Sequence, residues 1–145
     1  MKLSDYNQMP TVAAIMKPCS YFAQPDEPVA HLLKLMKQHN IRHVPIQREG
    51  RVVGIVSERD LRWMGSPAIV LPDPEEIPIA HVQVNSPYTV EINTPLNKVL
   101  QEMAERKIGA AVVVKSGKLV GIVTVTDICR VLAEILSSQF PLRKE

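Results

Sequence analysis

Val53-Gly54-Ile55-Val56-Ser57-Glu58-Arg59-Asp60 is answered 67 residues later (120 − 53 = 67) by Val120-Gly121-Ile122-Val123-Thr124-Val125-Thr126-Asp127. Each stretch runs an apolar strand-like segment into a hydroxyl residue, with an aspartate three positions further on. Extended outward at the same offset, residues 11–62 align without a gap to residues 78–129, and twelve of the 52 pairs are identical. These include Ala13/Ala80, Tyr21/Tyr88, Pro28/Pro95, Leu33/Leu100, Met36/Met103, Ile41/Ile108 and Gly50/Gly117. Average composition gives roughly three chance matches over such a length. The chain is a tandem of one small unit, and its function is expected where the copies meet.

Within each copy the pattern reads strand, helix, strand, strand, helix. In copy two, Tyr88 to Ile92 reads as a short strand, Thr94 offers an N-cap hydroxyl, and Pro95 suits a first helical position. Leu96, Val99, Leu100 and Met103 then follow at helical spacing, matched in copy one by Val29, Leu32, Leu33 and Met36. Two β-branched runs around Arg48-Glu49-Gly50-Arg51, and again around Lys115-Ser116-Gly117-Lys118, signal hairpins. Pro45 cannot donate to a ladder, so its strand is expected to lie at an edge or to start near there. The last helix of copy two is long and apolar along Ile128, Val131, Leu132, Ile135 and Leu136, whereas Gly65-Ser66-Pro67 cuts its counterpart short. Prolines 67, 72, 74 and 78 mark an extended connector, whose Ala68-Ile69-Val70-Leu71 is expected to lie on a surface.

Composition narrows the function. The 145 residues, 46% hydrophobic with two Phe and one Trp, suffice for an aliphatic core, and a net charge of +2 lacks the clustered basic stripe of a nucleic-acid binder. Nothing approaches the ~20 apolar residues of a membrane span, and Met1-Lys2-Leu3-Ser4-Asp5-Tyr6 lacks a signal-peptide core. Cys19 and Cys129 occupy non-equivalent positions, which fits a reducing cytoplasm without a structural disulfide. Cys129 reads as a small core residue. His31, His39, His43 and His81 show no metal-ligand spacing, and no nucleophile–base arrangement recurs. Trp63-Met64 suits an exposed contact, a lid or core packing, and Glu75-Glu76 a solvated pair.

The repeated Ser/Thr-x-x-Asp carries the chemistry. At a helix start it is a capping box. Its duplication in register adds a second meaning: a hydroxyl beside free helix N–H groups suits phosphate, and a carboxylate can accept both hydroxyls of a ribose diol. Arg59 adds a cation to the first copy where the second has Thr126, so the first is expected to favour phosphorylated ligands more.

With these residues in place, the chain resembles a tandem pair of CBS domains, a Bateman module, over residues ~11 to 138. The resemblance implies an α/β fold of α+β type: two β-α-β-β-α units packed about a pseudo-two-fold axis, with two inter-domain clefts. The expected boundaries are 8–66 for the first CBS domain, 67–77 for the proline-rich linker and 78–140 for the second. It also implies regulatory ligands such as AMP, ADP, ATP or S-adenosylmethionine, with no required cofactor. Carried over by position, Asp60 and Asp127 would bind ribose. Ser57, Arg59, Thr124 and Thr126 would face phosphate, and the main chain of Arg42-His43 and Gly109-Ala110 would meet adenine. Val112 departs from the usual proline held at Pro45. The expectation is a cytoplasmic, non-catalytic sensor without a metal, pairing as a homodimer and signalling to an effector protein in trans. The alternative is a ligand-free interaction module.

Overall fold

In a computed structural model of the chain, which describes residues 2–19, 21–66 and 72–143, the elements alternate as the repeat requires. Two short strands absent from the sequence reading are added. The strands are β1 (Lys17–Pro18), β2 (His43–Arg48), β3 (Arg51–Ser57), β4 (Val84–Asn85), β5 (Thr89–Glu91), β6 (Ala110–Lys115) and β7 (Lys118–Thr124). The α-helices are α1 (Val29–His39), α2 (Glu58–Leu61), α3 (Leu96–Arg106) and α4 (Val125–Gln139). The apolar linker stretch at 68–71 lies outside the described residues.

Two compact units emerge, and each draws its first segment from the opposite repeat. One gathers the chain up to Pro18 with Tyr88–Ser116 and the residues from Val120 onward; the other gathers Cys19–Pro87 with the hairpin tip Gly117–Leu119. In the first, β5, β6 and β7 form a sheet in the order β1-β7-β6-β5, with Val12 joining Val99, Met103, Ala111, Val113 and Val123 in its core. In the second, the order is β2-β3-β4, and Ile77 and Ile79 complete a core of Val29, Leu32, Val44, Ile46 and Val56.

Backbone pairing explains this exchange. The Val29 amide, orphaned at the start of α1, donates to Ile77 O at 2.8 Å, and Ile79 N donates back to Glu27 O at 2.9 Å. At the equivalent α3 positions, Leu96 N donates to Pro10 O and Val12 N to Thr94 O, both at 2.9 Å. These helix starts are satisfied by main chain from segments distant in sequence rather than by side chains. Thr94 is consequently not the N-cap of α3. That position is Pro95, and the Thr94 hydroxyl donates to Glu91 O at 2.7 Å.

Both hairpins close through two residues with positive φ, Glu49-Gly50 (51° and 77°) and Ser116-Gly117 (51° and 80°). That geometry matches the twist of the strands it joins. Pro45 accounts for the unequal sheets. In the second repeat Val112 N donates to Tyr88 O at 2.9 Å, and β5 pairs in parallel with β6. Proline at the equivalent position has no N–H, so the matching strand of the first repeat shrinks to a single bridge, Ala23 with Ile46. The Tyr21 carbonyl takes the Cys19 thiol instead, at 3.3 Å.

Along α4, Ile128, Val131 and Ile135 are partly buried, whereas Val125, Leu132 and Leu136 are exposed. Cys129 is exposed as well, correcting its reading as a core residue: at ~100° per residue it falls on the face shared with 125, 132 and 136. Trp63 is exposed, while Met64 packs against the core of its unit.

Candidate functional site

Each motif sits where a strand of its own unit turns into a helix. In the first repeat, β3 ends at Ser57, whose Cα pairs with that of His43 on β2. Glu58 N, the first amide of α2, donates to Arg42 O at 2.7 Å. In the second repeat Val125 N, the first amide of α4, donates to Gly109 O at 3.0 Å. The main chain expected to meet adenine is therefore tied by one hydrogen bond to the helix start that carries the carboxylate. Ser57, Asp60, Arg42 and His43 come together in one unit; Thr124, Asp127, Gly109 and Ala110 belong to the other.

Both capping boxes are complete. Asp60 N donates to Ser57 Oγ at 3.2 Å, and Asp60 Oδ2 accepts the Ser57 amide and hydroxyl, each at 2.8 Å. Asp127 N donates to Thr124 Oγ1 at 3.3 Å, and Asp127 Oδ2 accepts the Thr124 amide at 2.9 Å and hydroxyl at 2.8 Å. Each carboxylate is fixed through one oxygen, which leaves the other to define the site.

At that second oxygen the repeats part. Asp60 Oδ1 has no polar partner among the described residues. Asp127 Oδ1 holds two cations, Lys17 Nζ at 3.1 Å and Arg130 Nη1 at 3.3 Å. Asp127 is 3% exposed and is the buried charged residue of its unit's site. Burial pushes its carboxyl upward, but the Thr124 amide and hydroxyl and the Lys17 ammonium outweigh that and hold it below the ordinary carboxylate range. Lys17 and Arg130 were not foreseen. Their counterparts at the 67-residue offset are Val84 and Trp63, so no repeated pattern pointed to them.

A glycine in each repeat sets how closely the short strand approaches. A Cβ on Gly121 would lie 2.9 Å from Lys17 O and 2.7 Å from Met16 Sδ, and one on Gly54 would lie 3.1 Å from Val84 O. Gly121 thus lets the Lys17 backbone lie against β7, close to Asp127. Arg59 and Thr126 are both exposed. The Arg59 side chain makes no polar contact among the described residues, while Arg42 Nε meets Glu58 Oε2 at 3.5 Å in an exposed pair. Arg130 also borders a cavity of about 680 Å³ between Ala14, Ile15 and the α4 residues Glu134 and Ser138.

An uncharacterized 17.7 kDa protein of Acidianus ambivalens is 30% identical over 122 residues, 83% of this chain and 71% of that protein. Inosine-5'-monophosphate dehydrogenase of Staphylococcus aureus is 31% identical over 115 residues, 77% of this chain. The chain spans only 22% of that enzyme's length. Among solved structures, the CBS domain of the bacterial CNNM/CorC family Mg2+ transporter in complex with ATP superposes with a TM-score of 0.73 at 26% identity. That match covers 86% of this chain and 87% of the other. A CBS domain pair in complex with 5-methylthioadenosine and S-adenosyl-L-methionine has the same fold, with a TM-score of 0.75 at 24% identity over 88% of this chain and 99% of the other. The family model for the CBS domain matches twice, at residues 12–63 and 79–134, and the chain belongs to the CBS domain family.

Proposed function

We propose that the chain is a non-catalytic regulatory sensor that binds an adenosine-containing ligand through the motif of each repeat. The observation that carries this reading is the paired geometry of the motifs. Each presents a carboxylate at a helix N-terminus, locked through one oxygen and hydrogen-bonded through the helix start to the main chain of residue 42 or 109. A ribose diol needs an acceptor of that kind, and phosphate is favoured beside first-turn amides. Asp60 and Asp127 take the sugar, Ser57, Arg59, Thr124 and Thr126 face phosphate, and Arg42-His43 and Gly109-Ala110 line the base. Similarity to structures holding ATP, or 5-methylthioadenosine and S-adenosyl-L-methionine, supports this ligand class. Extraction of the purified protein followed by mass spectrometry should release an adenosyl compound. Recovery of none, with no calorimetric response to AMP, ATP or S-adenosylmethionine, would sink the reading.

A ligand-free interaction module is the second reading. It is favoured by the completeness of both capping boxes, which give Ser/Thr-x-x-Asp a structural task without any ligand.

The output of such a sensor passes to an effector protein in trans, within the cytoplasm, from a homodimer. Val125, Leu132, Leu136 and Phe140 are 47%, 52%, 46% and 65% exposed along and just beyond α4. An uncovered apolar row of this kind suits a two-fold partner. Light scattering should return about twice the 16.2 kDa chain mass, and Leu132→Asp with Leu136→Asp should return the monomer value. A native monomer at micromolar concentration would exclude this interface.

A further inference from the structure

The two carboxylates offer a ribose different receptions. A carboxylate has roughly four acceptor positions. On Asp127 all four are in use: the Thr124 amide and hydroxyl on Oδ2, Lys17 and Arg130 on Oδ1. On Asp60 the two Oδ2 positions are filled by Ser57, and Oδ1 is open among the described residues. A diol can therefore dock on Asp60 directly, but reaches Asp127 only by displacing a cation. Lys17 is the displaceable one. Its side chain is 58% exposed, and its ammonium is a point charge on a flexible stem.

We infer that Lys17, assisted by Arg130, makes the second repeat selective for adenosine ligands that carry phosphate. Uncharged adenosine would strip Lys17 from Asp127 and give it nothing in return. A phosphorylated ligand offers the released ammonium a stronger partner beside the α4 N-terminus, so the displaced ion pair is replaced. Asp127 with two cations also leaves the cluster one positive charge in excess, which favours an anion before any displacement. The unit that holds the first repeat's motif carries Val84 and Trp63 at these positions, and that motif accepts a diol whether or not phosphate is attached. Comparing Arg59 with Thr126 alone places phosphate preference in the first repeat; the contacts to Asp127 assign the stricter preference to the second.

This inference rests on the adenosine-binding reading, and its test separates the two. Titrations of AMP and adenosine into the Asp60→Ala variant report on the second repeat. AMP should bind there about tenfold more tightly or better, the scale of one charge-assisted hydrogen bond. Adding Lys17→Met should shrink the AMP-to-adenosine ratio about tenfold, with AMP weakened and adenosine strengthened as Oδ1 is freed. Lys17→Arg should keep the ratio, and Arg130→Met should move it as Lys17→Met does, by less. An unchanged ratio in Lys17→Met overturns the inference while leaving the binding reading intact. So does ligand binding by the native chain that vanishes in the Asp60→Ala background. Failure of the native chain to bind either compound removes both.

Discussion

The two repeats are the same unit built under different local constraints, and two pairs of positions account for most of the difference. Where the second repeat has Val112, the first has Pro45; one missing N–H reduces a three-residue parallel strand to an isolated bridge. The second repeat's carboxylate meets Arg130 and, from the opposite repeat, Lys17; the counterparts of these two residues at the 67-residue offset are Trp63 and Val84, and the motif carboxylate changes from fully engaged to half open. The repeat preserves the groups that place the carboxylate and varies those that compete for it. Duplicated architecture thus yields two motifs of one geometry with unequal surroundings.

The sharpest way to break the comparison is at the glycines that let the short strands approach. Gly121→Ala should destabilise by about 3 kcal/mol, the upper end for overpacking, because its Cβ would meet backbone at 2.9 Å. Gly54→Ala should cost only about 1 kcal/mol, since its closest neighbours are the terminal atoms of the Gln83 side chain and Val84 O lies at 3.1 Å. Urea unfolding of both variants measures this, and equal losses would show that the two approaches are equally tolerant.

Converting one repeat toward the other gives a smaller effect. Val112→Pro removes the donor to Tyr88 O and should cost about 2 kcal/mol. Faster amide exchange should be confined to β5 and its neighbours. Unaltered exchange at Thr89–Glu91 would mean that the strand does not depend on this bond.

Smaller still is a pH effect that belongs to the second repeat. The Asp127 carboxyl lies below its ordinary range, so its stabilising contribution is full above the ordinary value of about 3.9 and is lost as pH falls through the lower folded value. Asp127→Asn should therefore melt earlier than the native chain at neutral pH, by about 1 kcal/mol, and the gap should close only in strong acid. A gap independent of pH would assign the loss to packing rather than to charge.

Much of this was legible in the residues themselves. The 67-residue offset announces paired units, Glu49-Gly50 and Ser116-Gly117 announce the hairpins, and Ser57…Asp60 with Thr124…Asp127 announce caps and carboxylates together, because each is a local pattern. What escaped depends on contacts distant in sequence. Lys17 lies 110 residues from Asp127 (127 − 17 = 110), and Ile77 and Ile79 complete a core begun at Ala23. Thr94 looked like a cap because the competing carbonyl of Pro10, which takes the Leu96 amide, is invisible until the chain is folded. Cys129 continued an apolar run whose buried face could be assigned only once α4 had met its sheet.

The most direct test of adenosine recognition is calorimetric titration of the native chain and of the Asp60→Ala, Asp127→Ala double variant with AMP, ATP and S-adenosylmethionine. Melting curves should confirm that both are folded. The expected result is binding by the native chain and a loss of roughly 1–3 kcal/mol per removed sugar contact in the variant. Affinity unchanged in a folded double variant would contradict the assignment of these two carboxylates to the ribose.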